Sequence, residues 1–321
     1  MNKIKFIMAA RCEAAGRLNN EDNFQLTDDL SANQWSFVTD NKVNLSEKGA
    51  LLIVCDGMGG ASAGEVASKL AVETIKEWFS SERLTEEVIA DSESIVQYIE
   101  KAIIAADTRI KEEGQNDAEK EGMGSTIVMA WIIGQSAYIG WCGDSRAYCF
   151  NRAAGLKRLS HDHSYVQTLI DAGHISDEAA FDHPNGNIIT QCLGGTVQAA
   201  EPEVKEYPLH NGDVIMLCSD GLSGALRDHI IEKVMSENAE NMSACRDALW
   251  NAARDAGWHD NVTIGLCRIV SGSEQQTTAP EDAPAQEKPE KKHIWRWLTL
   301  GFIVGITAAL LAATIVLKFI K

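Results

Sequence analysis

The stretch Leu51-Leu-Ile-Val-Cys-Asp56-Gly57-Met58-Gly59-Gly60 joins an unbroken apolar run to an acidic, glycine-rich turn. It reads as a strand that runs into a turn. Glycines at 57, 59 and 60 let the backbone bend sharply with no Cβ in the way. The same design recurs outward along the chain. Asp22 closes Arg17-Leu-Asn-Asn-Glu-Asp22, Asp220 follows Val214-Ile-Met-Leu-Cys-Ser219, and Asp260 opens Asp260-Asn-Val-Thr263. Strand ends distant in sequence can meet at one edge of a sheet, where carboxylates repel. Two of them ~5 Å apart cost about 3 kcal/mol at an effective dielectric near ~20. A pair of hard divalent cations, which prefer oxygen ligands, removes that cost. The pattern therefore points to a dinuclear metal site suited to hydrolysis of phosphoryl groups.

Six motifs stand in order along the chain: Arg17-x-x-Asn-Glu-Asp22, Asp56-Gly-Met-Gly-Gly60, Gly124-Ser-Thr126, Gly143-Asp-Ser-Arg146, Ser219-Asp-Gly-Leu222 and Asp260-Asn-Val-Thr263. Together they resemble the metal-dependent serine/threonine phosphatases of the protein phosphatase 2C type, their bacterial branch in particular. A single Asp-Gly pair is a common turn, whereas six motifs in order from the N-terminus to about residue 270 are specific.

The resemblance implies an α+β fold, a four-layer sandwich of two antiparallel β-sheets flanked by helices, with the metal site at one end. It implies two Mn2+ or Mg2+ ions and a third, weaker one. Asp22 and Asp56 would bridge or flank the ions, with the Gly57 carbonyl adding an oxygen. Asp220 and Asp260 would complete one shell, Glu21 would lie within direct or water-mediated reach, and Asp144 would join Asp220 at the third ion. Arg17 would bind the substrate phosphate, for which its planar fork is suited. The reaction implied is hydrolysis of phosphoserine and phosphothreonine on proteins, with metal-bound hydroxide attacking directly. The implied partners are phosphorylated proteins, among them a serine/threonine kinase and its substrates.

Two positions depart from the family pattern. Met58 stands where animal members carry the His proposed as general acid, as it commonly does in bacterial relatives. His259, beside Asp260, is one candidate for that role. Gln191 replaces an Arg found in many relatives and bears on substrate preference.

The chain has 321 residues, 45% of them hydrophobic, enough for one core of ordinary size. Its formal charge of −17 argues against nucleic acid as a partner. Eight cysteines show no Cys-x-x-Cys pair, which fits a reducing compartment and a catalytic domain facing the cytoplasm. Phe6 to Ala10 is too short for a signal-peptide core.

Strands are expected near 4–13, 23–26, 34–39 and 50–55, with residues 39–49 as a hairpin loop. A capping box, Ser62-x-x-Glu65, opens a helix whose Val66, Ala67, Leu70, Ala71, Thr74 and Trp78 share a face. A second helix near 93–112 aligns Ile95, Ile99, Ile103, Ala106 and Ile110. Strand character returns over 124–150, turning at Gly134-Gln135, and is followed by a helix near 163–172. Residues 174–187 read as an irregular surface lobe. Strands near 203–207 and 213–218, helices near 226–236 and 243–256, and a strand over 262–269 complete a domain of residues 1–270. Residues 271–293 are a flexible linker by composition. Residues 294–321 form a single-pass membrane anchor, in which Leu298 to Leu317 runs without a charge after Trp295 and Trp297. Two other readings stay open: a membrane-anchored phosphoprotein-binding scaffold without catalysis, and a hydrolase of small or lipid phosphate esters.

Overall fold

The computed structural model describes residues 4–32, 34–59, 63–195 and 198–271. The run from Leu51 lies in a strand longer than its apolar part, Ala50–Met58, which carries Asp56 and Gly57 inside the strand. In chain order the strands begin β1 (Lys5–Glu13), β2 (Asp22–Thr27), β3 (Val43–Asn44) and β4 (Ala50–Met58). Next come β5 (Gly124–Ser125), β6 (Ile127–Ile133), β7 (Ser136–Cys142), β8 (Arg146–Asn151) and β9 (Gly155–Arg158). The last four are β10 (Leu193–Gly194), β11 (Glu203–Pro208), β12 (Val214–Cys218) and β13 (Val262–Ser271). One sheet has the order β3-β1-β13-β12-β8-β9; the other has β10-β5-β4-β6-β7-β11, with β2 paired to β4. All the pairings are antiparallel.

Side chains alternate across a strand, and β4 shows where each face goes. Leu52 and Val54 pack between the sheets with Phe6, Met8, Ile139, Trp141, Ile215 and Leu217. Leu51, Ile53 and Cys55 face outward onto α1 (Ala63–Trp78) and α2 (Ser92–Asn116), meeting Ala67, Ala71, Ile75, Ile99 and Ile103. A third cluster covers the outer face of the other sheet with α6 (Asp228–Asn238) and α7 (Met242–Asp255), through Ile231, Met235, Leu249 and Trp250. The short helices α3 (Tyr165–Asp171), α4 (Asp177–Phe181) and α5 (Asp220–Ser223) lie between β9 and α6 in the chain. The result is two antiparallel sheets face to face with helices on each outer side, the expected α+β arrangement.

Several local expectations differ from the fold. Residues 34–39 are not a strand. Their backbone carbonyls accept from side chains instead, Trp35 from Gln25 and Gln34 from Thr27. The loop over 39–49 contains β3, which pairs with β1. The face of α1 is rotated, with Val72 and Ile75 buried while Val66, Leu70 and Trp78 are half-buried. The 174–187 lobe contains α4. Ser62, the expected cap of α1, lies outside the described residues, as do the linker beyond Ser271 and the whole anchor. Among the described residues no helix is long and apolar enough to cross a membrane. All eight cysteines are free, and burial pushes the thiols of Cys142, Cys149, Cys218 and Cys245 up to about 12.

Candidate metal centre

Register puts the first two aspartates together. Asp22 and Asp56 are direct partners across β2 and β4. Asp22 is buried, and its Oδ2 accepts from Ser219 Oγ at 2.7 Å and Thr263 Oγ1 at 2.6 Å. Those hydroxyls come from the end of β12 and from β13, so one carboxylate ties the two sheets together. Asp220 follows Ser219 as the first residue of α5. The backbone N–H and C=O of Asp56 are both fixed: the N–H donates to Thr126 Oγ1 at 3.1 Å and the C=O accepts from Thr126 N at 2.8 Å.

Gly57 shows why this end of β4 needs glycine. A Cβ there would lie 2.1 Å from the Gly64 carbonyl oxygen and 2.6 Å from that of Glu21. The first turn of α1 therefore packs directly on the strand end. Glu21 reaches the same turn: its Oε2 would be 2.5 Å from a Cβ on Gly64. Asn261 braces this segment from the far end of the chain. Its Oδ1 accepts from Glu21 N at 2.8 Å while its Nδ2 donates to Ala14 O and Asn19 O.

Asp144 sits between β7 and β8. His163 holds the preceding residue at both ends, with Gly143 N donating to Nδ1 at 3.2 Å and His163 N donating to Gly143 O at 2.9 Å. On the other side, Arg146 grips Asp162 with Nε and Nη2 at 2.6 to 3.0 Å. Arg17 donates from Nη2 to Asp260 Oδ2 at 2.7 Å and from Nε to the His259 carbonyl at 2.9 Å. His259 thus meets this site through its backbone, and its side chain is exposed. A cleft of about 660 Å³ is lined by Arg17, Glu21, Asp56, Asp144, Asp220 and Asp260 among others. Asp22 lies behind it.

The electrostatics are those of negative charge held out of water. Burial first, then the charges of Asp220, Asp22 and Asp144, push the Asp56 carboxyl well up. Burial, then Asp220 and Asp162, push Asp144 up to about 8. Burial takes Asp22 up to about 7 against the lowering pull of its two hydroxyl donors. Asp220 and Glu21 are raised as well, each chiefly by burial.

Among the described residues no three His, Cys, Asp or Glu side chains close on a common point as they stand. Asp260 is held by Arg17 instead, and Asp22 Oδ2 by two hydroxyls. Three buried side-chain oxygens have no hydrogen-bond partner among the described residues: Asn20 Oδ1, Asp22 Oδ1 and Asp220 Oδ1. Two are carboxylate oxygens of this cluster. An orphaned buried acceptor is costly, and a hard cation is the partner that such an oxygen lacks. The donor set fits Mn2+ or Mg2+.

Sequence reading named Asp22, Asp56, Gly57, Asp144, Asp220, Asp260, Glu21 and Arg17, and the fold gathers all of them at one end of the sandwich. It did not name Ser219, Thr263 or Thr126 as braces, nor the Arg17–Asp260 pair.

Comparison with known proteins agrees with this geometry. The sequence profile described as Protein phosphatase 2C matches residues 32–263. A serine/threonine phosphatase stp of Listeria innocua is 31% identical over 221 residues, which span 68% of this chain and 84% of that one. The structure of the serine/threonine phosphatase Stp1 from Staphylococcus aureus superposes with a TM-score of 0.70 at 32% identity, covering 82% of this chain and 94% of that one. The catalytic domain of the phosphatase PstP, solved with two manganese ions, superposes with a TM-score of 0.66 at 27% identity, covering 84% of this chain and all of that one.

Proposed function

The chain belongs to the protein phosphatase 2C family of serine/threonine phosphatases, and from that membership we propose that it hydrolyses phosphoserine and phosphothreonine on proteins at a dinuclear Mn2+ or Mg2+ centre. One observation carries the reading. Two carboxylates from different elements, Asp22 on β2 and Asp220 at the start of α5, each bury an oxygen with no hydrogen-bond partner among the described residues, at the same end of the sandwich. Asp22, Asp56, Asp220, Asp260 and the Gly57 carbonyl are the groups that would hold the ions, with Glu21 beside them and Asp144 serving a third. When bound, such ions offset the carboxylate charge and bring the pKa of water toward neutrality.

The remaining work falls to the chain itself. Arg17, with its side chain 57% exposed, can turn its fork from Asp260 to a phosphate in the cleft. The Ser219 and Thr263 hydroxyls and the Thr126 backbone bonds hold Asp22 and Asp56 in fixed orientation. Met58 has no proton to give, so the leaving alkoxide takes its proton from water or from another group at the cleft.

The test is phosphate release from a phosphothreonine peptide by the full chain, with Mn2+ and Mg2+ titrated against a chelator and beside Asp220→Asn. Metal-dependent release, abolished by the substitution, is the expected result. A folded, metal-binding protein that releases no phosphate would overturn the reading in favour of a phosphoprotein-binding scaffold. The charge-free run from Leu298 to Leu317 supports a further element of the proposal, a C-terminal anchor that holds the domain at the cytoplasmic face of a membrane. There it would meet a serine/threonine kinase and that kinase's substrates. Fractionation checks this: the full chain should sediment with membranes and resist alkaline extraction, and a chain ending at residue 270 should not. Equal partitioning of the two would end the anchor proposal.

A further inference from the structure

Beside the metal cleft lies a second cavity of about 880 Å³, which shares Asp144, Asn187 and Asp220 with the lining of the first. The lobe after Ser164 contributes α3 and α4 to its lining, and Arg146, Arg158, Leu226 and Arg227 contribute from outside that lobe. Val166, Ile170, Phe181 and Leu226 give it apolar surface.

Its cations are all engaged. Arg146 is forked onto Asp162, and Arg158 Nη2 reaches Asp228 Oδ2 at 3.0 Å. Arg227 Nη2 reaches Asp182 Oδ2 at 2.7 Å with its guanidinium 4.2 Å from the centre of the Phe181 ring. Two carboxylates of the lining are in the opposite condition. Asp177 and Glu178 on α4 are exposed. Arg227 Nη1 donates to the Glu178 backbone carbonyl at 3.2 Å, but neither carboxylate forms an ion pair among the described residues. The cavity therefore combines apolar walls with two carboxylates free to pair with an incoming cation.

We propose that this cavity is a specificity pocket for a lysine or arginine near the phosphorylated residue of a phosphoprotein substrate. Such a side chain lays its aliphatic stem along apolar surface while its charged head stays near water, which is where Asp177 and Glu178 stand. An acidic neighbour would meet repulsion at the same place, and a wholly apolar one would leave the two carboxylates unpaired. The formal charge of −17 on the chain favours basic substrates at longer range too. The inference rests on the phosphatase reading above and names the substrate class for it.

The experiment uses the full chain with Mn2+ and phosphothreonine peptides in which a single lysine is moved through the ~4 positions on each side, with alanine and glutamate at the same positions for comparison. An exposed ion pair is a modest interaction, so lysine at its favoured position should lower KM about two- to five-fold with kcat little changed. The advantage should shrink at ~0.5 M salt. It should disappear in the double variant Asp177→Asn/Glu178→Gln, whose turnover of p-nitrophenyl phosphate stays as in the parent. Equal KM across the series, a preference for acidic or apolar neighbours, or a lysine preference that survives in the double variant would each overturn the proposal. Fluorescence anisotropy of the same labelled peptides is read alongside turnover. Charge-selective binding that depends on Asp177 and Glu178 but releases no phosphate would sink the phosphatase reading and leave this pocket standing.

Discussion

Asp144, half-buried in the lining of the cleft, shows what a partly desolvated acid among other acids does to a protein before any cation is added. Its carboxyl is pushed up to about 8 by burial and by the charges of Asp220 and Asp162, from an ordinary value of 3.8. The folded state therefore holds the Asp144 proton more tightly than the unfolded chain does. The associated stability is fully present below pH ~4 and is lost as pH rises toward 8. Asparagine mimics the protonated acid at every pH. In chelator, Asp144→Asn should melt close to the parent at pH 4 to 5 and above it by ~3 °C or more at pH 8. Thermal melts across that range check this, and parallel curves for the two proteins would refute it. These aspartates were readable in the sequence because each lies beside glycine or asparagine at a strand end, a local signal. Ser219 and Thr263 were not read as braces, since a hydroxyl inside an apolar run has no spacing of its own. Nor was the Arg17–Asp260 pair, which joins residues 243 positions apart.

At the scale of elements, long helices with a single apolar face were legible, as was the seven-residue α3, whereas the shorter α4 and α5 were not. The stripe Ile95, Ile99, Ile103, Ala106 and Ile110 is buried as its period requires, and Asp91 caps α2 by accepting from Ser94 N at 2.8 Å. Ile103 has no exposed surface and packs onto the sheet through the α1–α2 cluster. Ile103→Ala should cost ~2–5 kcal/mol, mostly as a cavity, and should leave kcat per folded molecule unchanged because α2 lines neither cleft. Urea unfolding with activity measured on the folded fraction tests both halves. A change in kcat would mean that α2 is coupled to the site. The five-residue α4 escaped sequence reading because one turn and a half presents no period. Residues 34–39 misled for the converse reason: Trp35 and Phe37 alternate with polar residues as in a strand, yet Thr27 and Gln25 side chains take two of the carbonyls that a ladder would use.

For the whole molecule, the acidic balance and the fold act on the same quantity, the affinity of one end of the sandwich for divalent cations. The antiparallel pairing of β2 with β4 and the position of β13 between β1 and β12 bring together acids from residues 21 to 260. The energy of their repulsion is then available to any cation that relieves it. A ligand at about 100 times its Kd stabilises by about 2.7 kcal/mol, so saturating Mn2+ should raise Tm by ~5–10 °C. Protons compete for the same oxygens, since Asp22 is pushed up to about 7 and Asp144 up to about 8. Below those values an ion must displace a proton, and above them it meets a free carboxylate. The rise in Tm should therefore be small at pH 5.5, grow through pH 7 and be largest at pH 8. In Asp220→Asn, which removes one of the two orphaned carboxylate oxygens, it should fall to a fraction of the parent's at every pH. Melting curves with Mn2+ and with chelator decide the matter. A shift that is independent of pH, or one that survives in Asp220→Asn, would locate the ions elsewhere on the acidic surface and remove the carboxylate cluster from the mechanism.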